Sequence, residues 1–230
     1  MIIPVGDDNV VGGARPFFSY GFILINVLIF GYQMTLNQEE IIDFLYSFGT
    51  VPSDIIQGQH FYTLFTSMFL HGGFGHLLGN MLFLWIFGDN VEAVLGNFHF
   101  LIFYIVAGLI ATLTHVWMNS GTHLPSVGAS GAISAILGAY LIMFPRSQIK
   151  LVFIIFFITF YVSAILFIGL WFLEQFISVY AETGDPDLPS QGVAWWAHIG
   201  GFIFGVIIGM RYRTRAKAFS LSEGRNSIFR

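Results

Sequence analysis

Six apolar stretches, each close to the length needed to cross a bilayer, constrain this chain more than any other feature. They cover about Phe17–Gln33, Gly75–Val94, Phe98–Met118, Ser126–Phe144, Ile149–Phe172 and Val193–Tyr212. A span needs about 20 mostly apolar residues. In hydrocarbon every backbone N–H and C=O must be satisfied within the protein, so such stretches become helices or strands of a closed barrel. These stretches are continuous where barrel strands alternate, which selects helices. Only 10% of the 230 residues are charged and 56% are hydrophobic, whereas a soluble domain carries about 25% charged residues. The predicted fold is an all-α membrane protein: a six-transmembrane-helix bundle forming one domain over residues 1–230.

The basic residues orient this bundle. All nine Lys and Arg fall in three places: Arg15 before the first stretch, Arg146 and Lys150 between the fourth and fifth, and Arg211, Arg213, Arg215, Lys217, Arg225 and Arg230 at the end. Six crossings put these places on one side, and the excess of basic residues marks that side as cytoplasmic. The other side receives Glu39, Glu40, Asp43 and Asp54 in a long first loop, His123 in a second, and Glu182, Asp185 and Asp187 in a third. Both termini are thus expected in the cytoplasm, as a short N-terminal segment, residues 1–16, and a short basic tail, residues 213–230, solvated and drawn to anionic lipid. The first outer loop, about residues 34–74, carries Ile41, Ile42, Phe44, Leu45, Tyr46 and Phe48 and is predicted to lie partly in the membrane. No basic segment followed by a short apolar run precedes Phe17, so the first stretch reads as a retained span. Cysteine is absent, which excludes disulfides and thiolate metal sites.

Polar side chains inside such stretches are costly and need a partner or a task. The second, fourth and sixth stretches run from outside to inside, and each carries its polar residues near the outer start. His76 and Asn80, four residues apart, share one helix face. Ser130 lies about one turn into the fourth stretch and His198 about one to two turns into the sixth. Gly128, Ala129, Gly131 and Ala132 surround Ser130, while Ala197, Gly200, Gly201 and Gly205 accompany His198. Gly201-x-x-x-Gly205 is a close-packing face that brings the fourth and sixth helices near enough for Ser130 and His198 to meet. A serine hydroxyl beside an imidazole is a nucleophile beside its base. Taken singly, each feature has a plainer reading: packing for the Gly-Ala-Ser-Gly string, a structural hydrogen bond for His198, a tie between first loop and second span for His76 and Asn80. Their common depth favours a single site.

Three motifs carry a family resemblance: His71-x-x-x-x-His76-x-x-x-Asn80, Gly128-Ala129-Ser130-Gly131 and Ala197-His198-x-x-Gly201-x-x-x-Gly205. Together they resemble those of the rhomboid intramembrane serine proteases, over nearly the whole chain. The resemblance implies Ser130 as nucleophile and His198 as general base and later acid. It implies an oxyanion hole made by the side chains of His76 and Asn80 with the backbone N–H of Ser130, and structural support from His71, Gly128, Gly131, Gly201 and Gly205. It further implies hydrolysis of peptide bonds in or next to transmembrane segments of other membrane proteins, in a prokaryotic plasma (inner) membrane. No Asp or Glu lies deep in the fourth or sixth stretch, so a Ser–His dyad is expected in place of a triad, with no cofactor and no metal. Two departures stand out. Tyr62-Thr63 occupies the place of a Trp-Arg pair common in the family's first loop, and Ser134 stands one turn after Ser130, where an aromatic ring commonly stacks on the base.

The expected partners are transmembrane protein substrates and the lipid bilayer, with no nucleic acid. Small residues around Ser130 predict a small residue on the N-terminal side of the cut. Gly, Pro or other weak helix formers are expected near it, because a helical segment must open before its carbonyls can be attacked. The fifth stretch, with Phe153, Phe156, Phe157, Phe160, Phe167 and Phe172, is expected to be the loosely packed element where substrate enters, although lipid contact explains the same rings. The alternative function is a catalytically inactive relative that binds membrane proteins, against which Ser130 and His198 are both retained. A transporter would carry ionisable residues along a path through the bilayer, and a metalloprotease would need a His-Glu-x-x-His helix, which is missing.

Overall fold

Backbone that cannot reach water must bond to itself, and the chain meets that demand mostly with helices. The structure, a computed structural model, describes residues 2–11, 13–156, 158–184 and 194–222. In order come β1 (Ile2–Gly6), β2 (Asn9–Val11), α1 (Phe17–Gln33), α2 (Gln38–Phe48), α3 (Pro52–Ile56), α4 (Thr63–Thr66) with a 3₁₀ turn (Ser67–Phe69), α5 (Phe74–Leu95), α6 (Asn97–Met118), α7 (Ser130–Met143), β3 (Gln148–Phe153), β4 (Ile158–Ser163), α8 (Ala164–Gly184), α9 (Trp195–Ala216) and β5 (Ser220–Ser222). Helices α5 and α6 and residues Ala164–Ala181 of α8 are each long and apolar enough to cross a membrane, and α1 and α7 are shorter apolar helices.

The core lies between α1, α5, α6, α7 and α9. Phe22 of α1 stacks on Tyr104 of α6 with ring centroids 4.0 Å apart, and Phe87 of α5 meets Tyr140 of α7 edge-on at 5.0 Å. At the heart of the bundle α7 and α9 pack backbone against backbone. A Cβ at Gly201 would collide with the Gly131 carbonyl oxygen, one at Gly205 with that of Ala135, and one at Gly209 would sit 2.9 Å from that of Ala139. The close-packing face read from Gly201 and Gly205 thus extends one turn further, and its counterpart on α7 repeats at the same four-residue interval.

The expectation of an all-helical chain needs correction at the fifth stretch. Gln148–Phe153 and Ile158–Ser163 pair as strands β3 and β4, and the helix starts at Ala164, fifteen residues later than predicted, and runs to Gly184. Strand β1 pairs with β3, giving the sheet order β1-β3-β4, and β2 pairs with β5. The reason lies in the residues: β-branched and aromatic side chains dominate 149–162, with Ile149 and Leu151 buried on one face of the strand while Lys150 points the other way. Phe153 and Phe160 therefore belong to strands, and Phe156 to the turn joining them, so the predicted Phe-rich helix face is not formed. The basic tail is also more ordered than a solvated segment, since α9 continues through Arg213 and Arg215 to Ala216 and the chain then supplies β5. Phe157, Asp185, Asp187, Val193, Arg225 and Arg230 lie outside the described residues.

The end of the bundle that carries the sheets is tied by buried carboxyl groups. Glu92 of α5, fully buried, accepts from the backbone N–H groups of Phe18 (2.9 Å) and Ser19 (2.7 Å) and from the Ser19 hydroxyl (2.7 Å). It thereby satisfies N–H groups in the first turn of α1 that have no partner within the helix. Asp7, just after β1, accepts from Asn90 at 2.8 Å and from the Tyr140 hydroxyl. Asp8 accepts from the Gln148 backbone at 2.9 Å. Burial pushes the Asp7 carboxyl well above the usual carboxylate range; the Tyr140 and Asn90 hydrogen bonds oppose this rise, and the neighbouring Asp89 and Asp8 charges add to it.

Candidate active site

The first outer loop builds the approach to Ser130. Helix α2 starts at a capping box: the Asn37 side chain accepts from the Glu39 and Glu40 N–H groups, and the Glu40 carboxylate accepts from the Asn37 N–H at 2.9 Å. No residue of α2 is buried, and Ile42, Tyr46 and Phe48 are exposed. Neutral hydroxyls order the rest of the loop. Tyr62 donates to the Ser47 carbonyl at 2.9 Å, Thr66 to that of Phe48 at 2.7 Å, and Thr50 to that of Thr63 at 2.8 Å. Where the family often has a Trp-Arg pair, hydroxyl-to-backbone bonds organise the loop here. Thr50 also forms an antiparallel bridge with Ser126, and the Gly128 N–H donates to the Ser67 carbonyl at 2.9 Å. This extended run delays the helix, so Ser130 is the first residue of α7 and not one turn inside it, as the sequence suggested.

That placement matters for chemistry. The first N–H groups of a helix lack intrahelical partners and carry partial positive charge. No side chain caps α7, so the Ser130 amide is not taken up by one. Gly128 has φ +132°, and a Cβ there would lie 2.8 Å from Cε1 and 2.9 Å from Nε2 of His76. Only glycine fits both demands, and the His76 ring consequently lies over the approach to Ser130. The Gly72 N–H points at His76 Nδ1 (3.4 Å), which leaves Nε2 as the ring's donor.

Ser130 Oγ and His198 Nε2 are 2.8 Å apart, joining α7 to α9. His198 is 7% exposed and sits one turn into α9. Asn80 is also 7% exposed, and its Nδ2 is buried without a hydrogen-bond partner among the described residues. A cavity of about 660 Å³ is lined by His76, Asn80, Ser130, Ser134, Trp171 and His198 among others. The structure thus brings together Ser130, His198, His76 and Asn80 around one opening. His71 lies just outside it: its ring packs edge-on against His76 at 5.1 Å, and its backbone N–H and C=O are both bonded to the Gln33 side chain, at 3.1 and 3.0 Å.

Residues 58–215 match the family model of the Rhomboid domain, well over half of the chain. The chain belongs to the rhomboid family. Among rhomboid relatives, Rhomboid protein 1, mitochondrial, of Saccharomyces cerevisiae is 30% identical over 195 residues, covering 83% of this chain and 51% of that protein. Rhomboid protease GluP of Bacillus subtilis is 33% identical over 132 residues, 57% of this chain and 25% of GluP. The putative rhomboid protease YdcA of the same organism is 36% identical over 88 residues, 38% of this chain and 44% of YdcA. The aligned regions span from a quarter to about half the length of these rhomboid relatives.

Three surroundings of His198 escaped the sequence reading. Gln175 of α8 has Oε1 2.7 Å from His198 Nδ1. Trp171, one turn earlier on α8, lies 6.0 Å from the imidazole at 38°, and Trp195 of α9 meets it edge-on at 5.9 Å. Ser134 makes no ring contact of this kind; its hydroxyl donates to the Ser130 carbonyl of its own helix at 2.6 Å. A signal was present, since Gln175 is a polar residue in an apolar run. Ending the fifth span at Phe172 put it out of view.

Proposed function

We propose that this rhomboid chain is an intramembrane serine endopeptidase, hydrolysing peptide bonds in or next to transmembrane segments of other membrane proteins. The observation that carries the reading is the 2.8 Å contact between Ser130 Oγ and His198 Nε2, beside a buried Asn80 amide with an unused donor. In this reading His198 Nε2 takes the hydroxyl proton as Ser130 Oγ attacks the peptide carbonyl carbon. The carbonyl oxygen becomes an oxyanion that accepts from Asn80 Nδ2, His76 Nε2 and the Ser130 amide. His198 then gives the proton to the leaving amine, the C–N bond breaks and an acyl-enzyme remains. Water repeats the sequence, delivering its proton to His198 and releasing the carboxylic acid product and Ser130. Without a carboxylate on the base, the oxyanion donors carry much of the rate; losing one such donor typically costs about 10²–10³ in kcat.

The membrane arrangement belongs to the same proposal: six helices, α1 and α5 to α9, cross a plasma (inner) membrane, with both termini on the basic, cytoplasmic side and α2 lying at the outer surface. The β3–β4 hairpin with Lys150 then sits on the cytoplasmic side. Substrates carry weak helix formers near the outer end of a single span and a small residue before the cut. A fluorophosphonate probe and a membrane-anchored reporter test the reading. The wild-type chain is expected to be labelled and to cut the reporter, and Ser130→Ala to do neither. Labelling or cutting that survives Ser130→Ala overturns it.

A further inference from the structure

The base of a serine hydrolase must hold one tautomer: its proton on the nitrogen facing away from the nucleophile and a lone pair on the one facing it. A neutral imidazole has a single N–H, so whatever partners Nδ1 decides what Nε2 can do. In the rhomboid chain that partner is the Gln175 amide, 1% exposed, at 2.7 Å. Which end of the amide faces His198 is set by its other contacts. The Gln175 nitrogen lies 2.8 Å from the Trp171 carbonyl oxygen and 2.6 Å from a Glu174 carboxylate oxygen. The carbonyl only accepts, so the NH₂ end must point at it. The oxygen end therefore faces His198, and an amide oxygen only accepts.

We infer that Gln175 is the positioning residue for the base: its Oε1 accepts the Nδ1 proton of His198 and so leaves the Nε2 lone pair to receive the Ser130 hydroxyl proton. The inference rests on the endopeptidase reading above and supplies the third group that a two-residue site lacks. The hydrogen bonds form a directed series. Ser130 Oγ–H donates to His198 Nε2, His198 Nδ1–H to Gln175 Oε1, and Gln175 Nε2–H to Glu174. Glu174 draws on the amide hydrogen and makes the amide oxygen a better acceptor. When His198 takes the serine proton, that oxygen faces the new positive charge. The opposite tautomer would set the Nδ1 lone pair against the Oε1 lone pairs and lose the bond. Trp171 supports the same ring from the same face of α8, so α8 delivers both contacts.

The wild-type protein in detergent gives one test and variants another. In ¹⁵N spectra of the labelled wild-type chain near neutral pH, His198 is expected with a protonated Nδ1 and a bare Nε2; the reverse pattern overturns the inference whatever the variants do. Gln175→Leu is expected to lower kcat by about 10- to 100-fold, with KM within about twofold; this is less than the roughly 10⁴-fold loss when the aspartate of a triad becomes asparagine. The double exchange Glu174→Gln with Gln175→Glu keeps an acceptor opposite Nδ1 and a donor behind it, and is expected to recover most of the lost kcat. Unchanged kcat in Gln175→Leu, or no recovery in a folded double exchange, overturns the inference. Failure of the endopeptidase reading looks different, because wild type and Ser130→Ala would then be alike.

Discussion

The two ends of α5 put polar side chains to opposite uses. In its second turn Asn80 keeps a buried amide donor with no partner among the described residues. About three turns on, Glu92 uses its two oxygens to accept three hydrogen bonds from the start of α1. An unmet donor costs stability and is worth keeping only if something arrives to use it. A buried carboxyl group bonded on both oxygens ties two helices together. On the endopeptidase reading one helix thus separates a reactive end from a holding end, and activity and stability should respond separately to changes at the two.

The largest expected effect is at the reactive end. Asn80→Ala should lower kcat by about 10²–10³ while leaving the thermal midpoint in detergent at or above that of the wild type, because no hydrogen bond of the resting fold is lost. A midpoint that drops along with kcat would make Asn80 a holding residue and erase the contrast. Glu92→Ala should do the reverse. It leaves three donors of α1 unpaired and should cost about 3 kcal/mol of stability in denaturant titration, with the fluorophosphonate labelling rate of the folded fraction unchanged. The smallest effect concerns Asp7, whose carboxyl is raised in the folded chain by burial. The folded state then holds the proton more tightly than the unfolded one, so this group's contribution falls as pH rises from the ordinary carboxylate range toward the folded value. Wild-type midpoints should decline from pH 5 to pH 8 through this term, and Asp7→Asn should flatten that slope and raise the pH 8 midpoint by a few degrees. Equal slopes in both proteins would show that Asp7 does not set it.

How much of this was legible follows from what each signal depends on. The helices α1, α5, α6 and α9 match their apolar stretches closely, because length and continuity are local properties. The meeting of Ser130 with His198 followed from a second local property, small residues four apart on two helices. The fifth stretch failed because hydropathy does not distinguish a buried strand from a helix, and one of the two partners of β3 is Ile2–Gly6, more than 140 positions away. Ending that stretch at Phe172 hid Gln175 and left the imidazole without visible support. Ser130 at the very start of α7 was unreadable for a similar reason: the bridge from Ser126 to Thr50 joins segments far apart in the chain. Glu92, Asp7 and Gln33 went unnoticed because their partners are mostly backbone groups and distant side chains, which no motif records.

The seam between α7 and α9 has a consequence for how such a protein can change. Three carbonyls of one helix rest against three glycines of the other, so Ser130 and His198 ride on a chassis with no slack. Added bulk at Gly205 would force the two helices apart and separate Ser130 from His198. Only 22% of the membrane-length window of α8 is buried, against 67% for α5, so α8 offers a wide face that variation can rework. On the endopeptidase reading, substrate preference can be retuned along that face and in the first loop while Ser130 and His198 stay bolted in place.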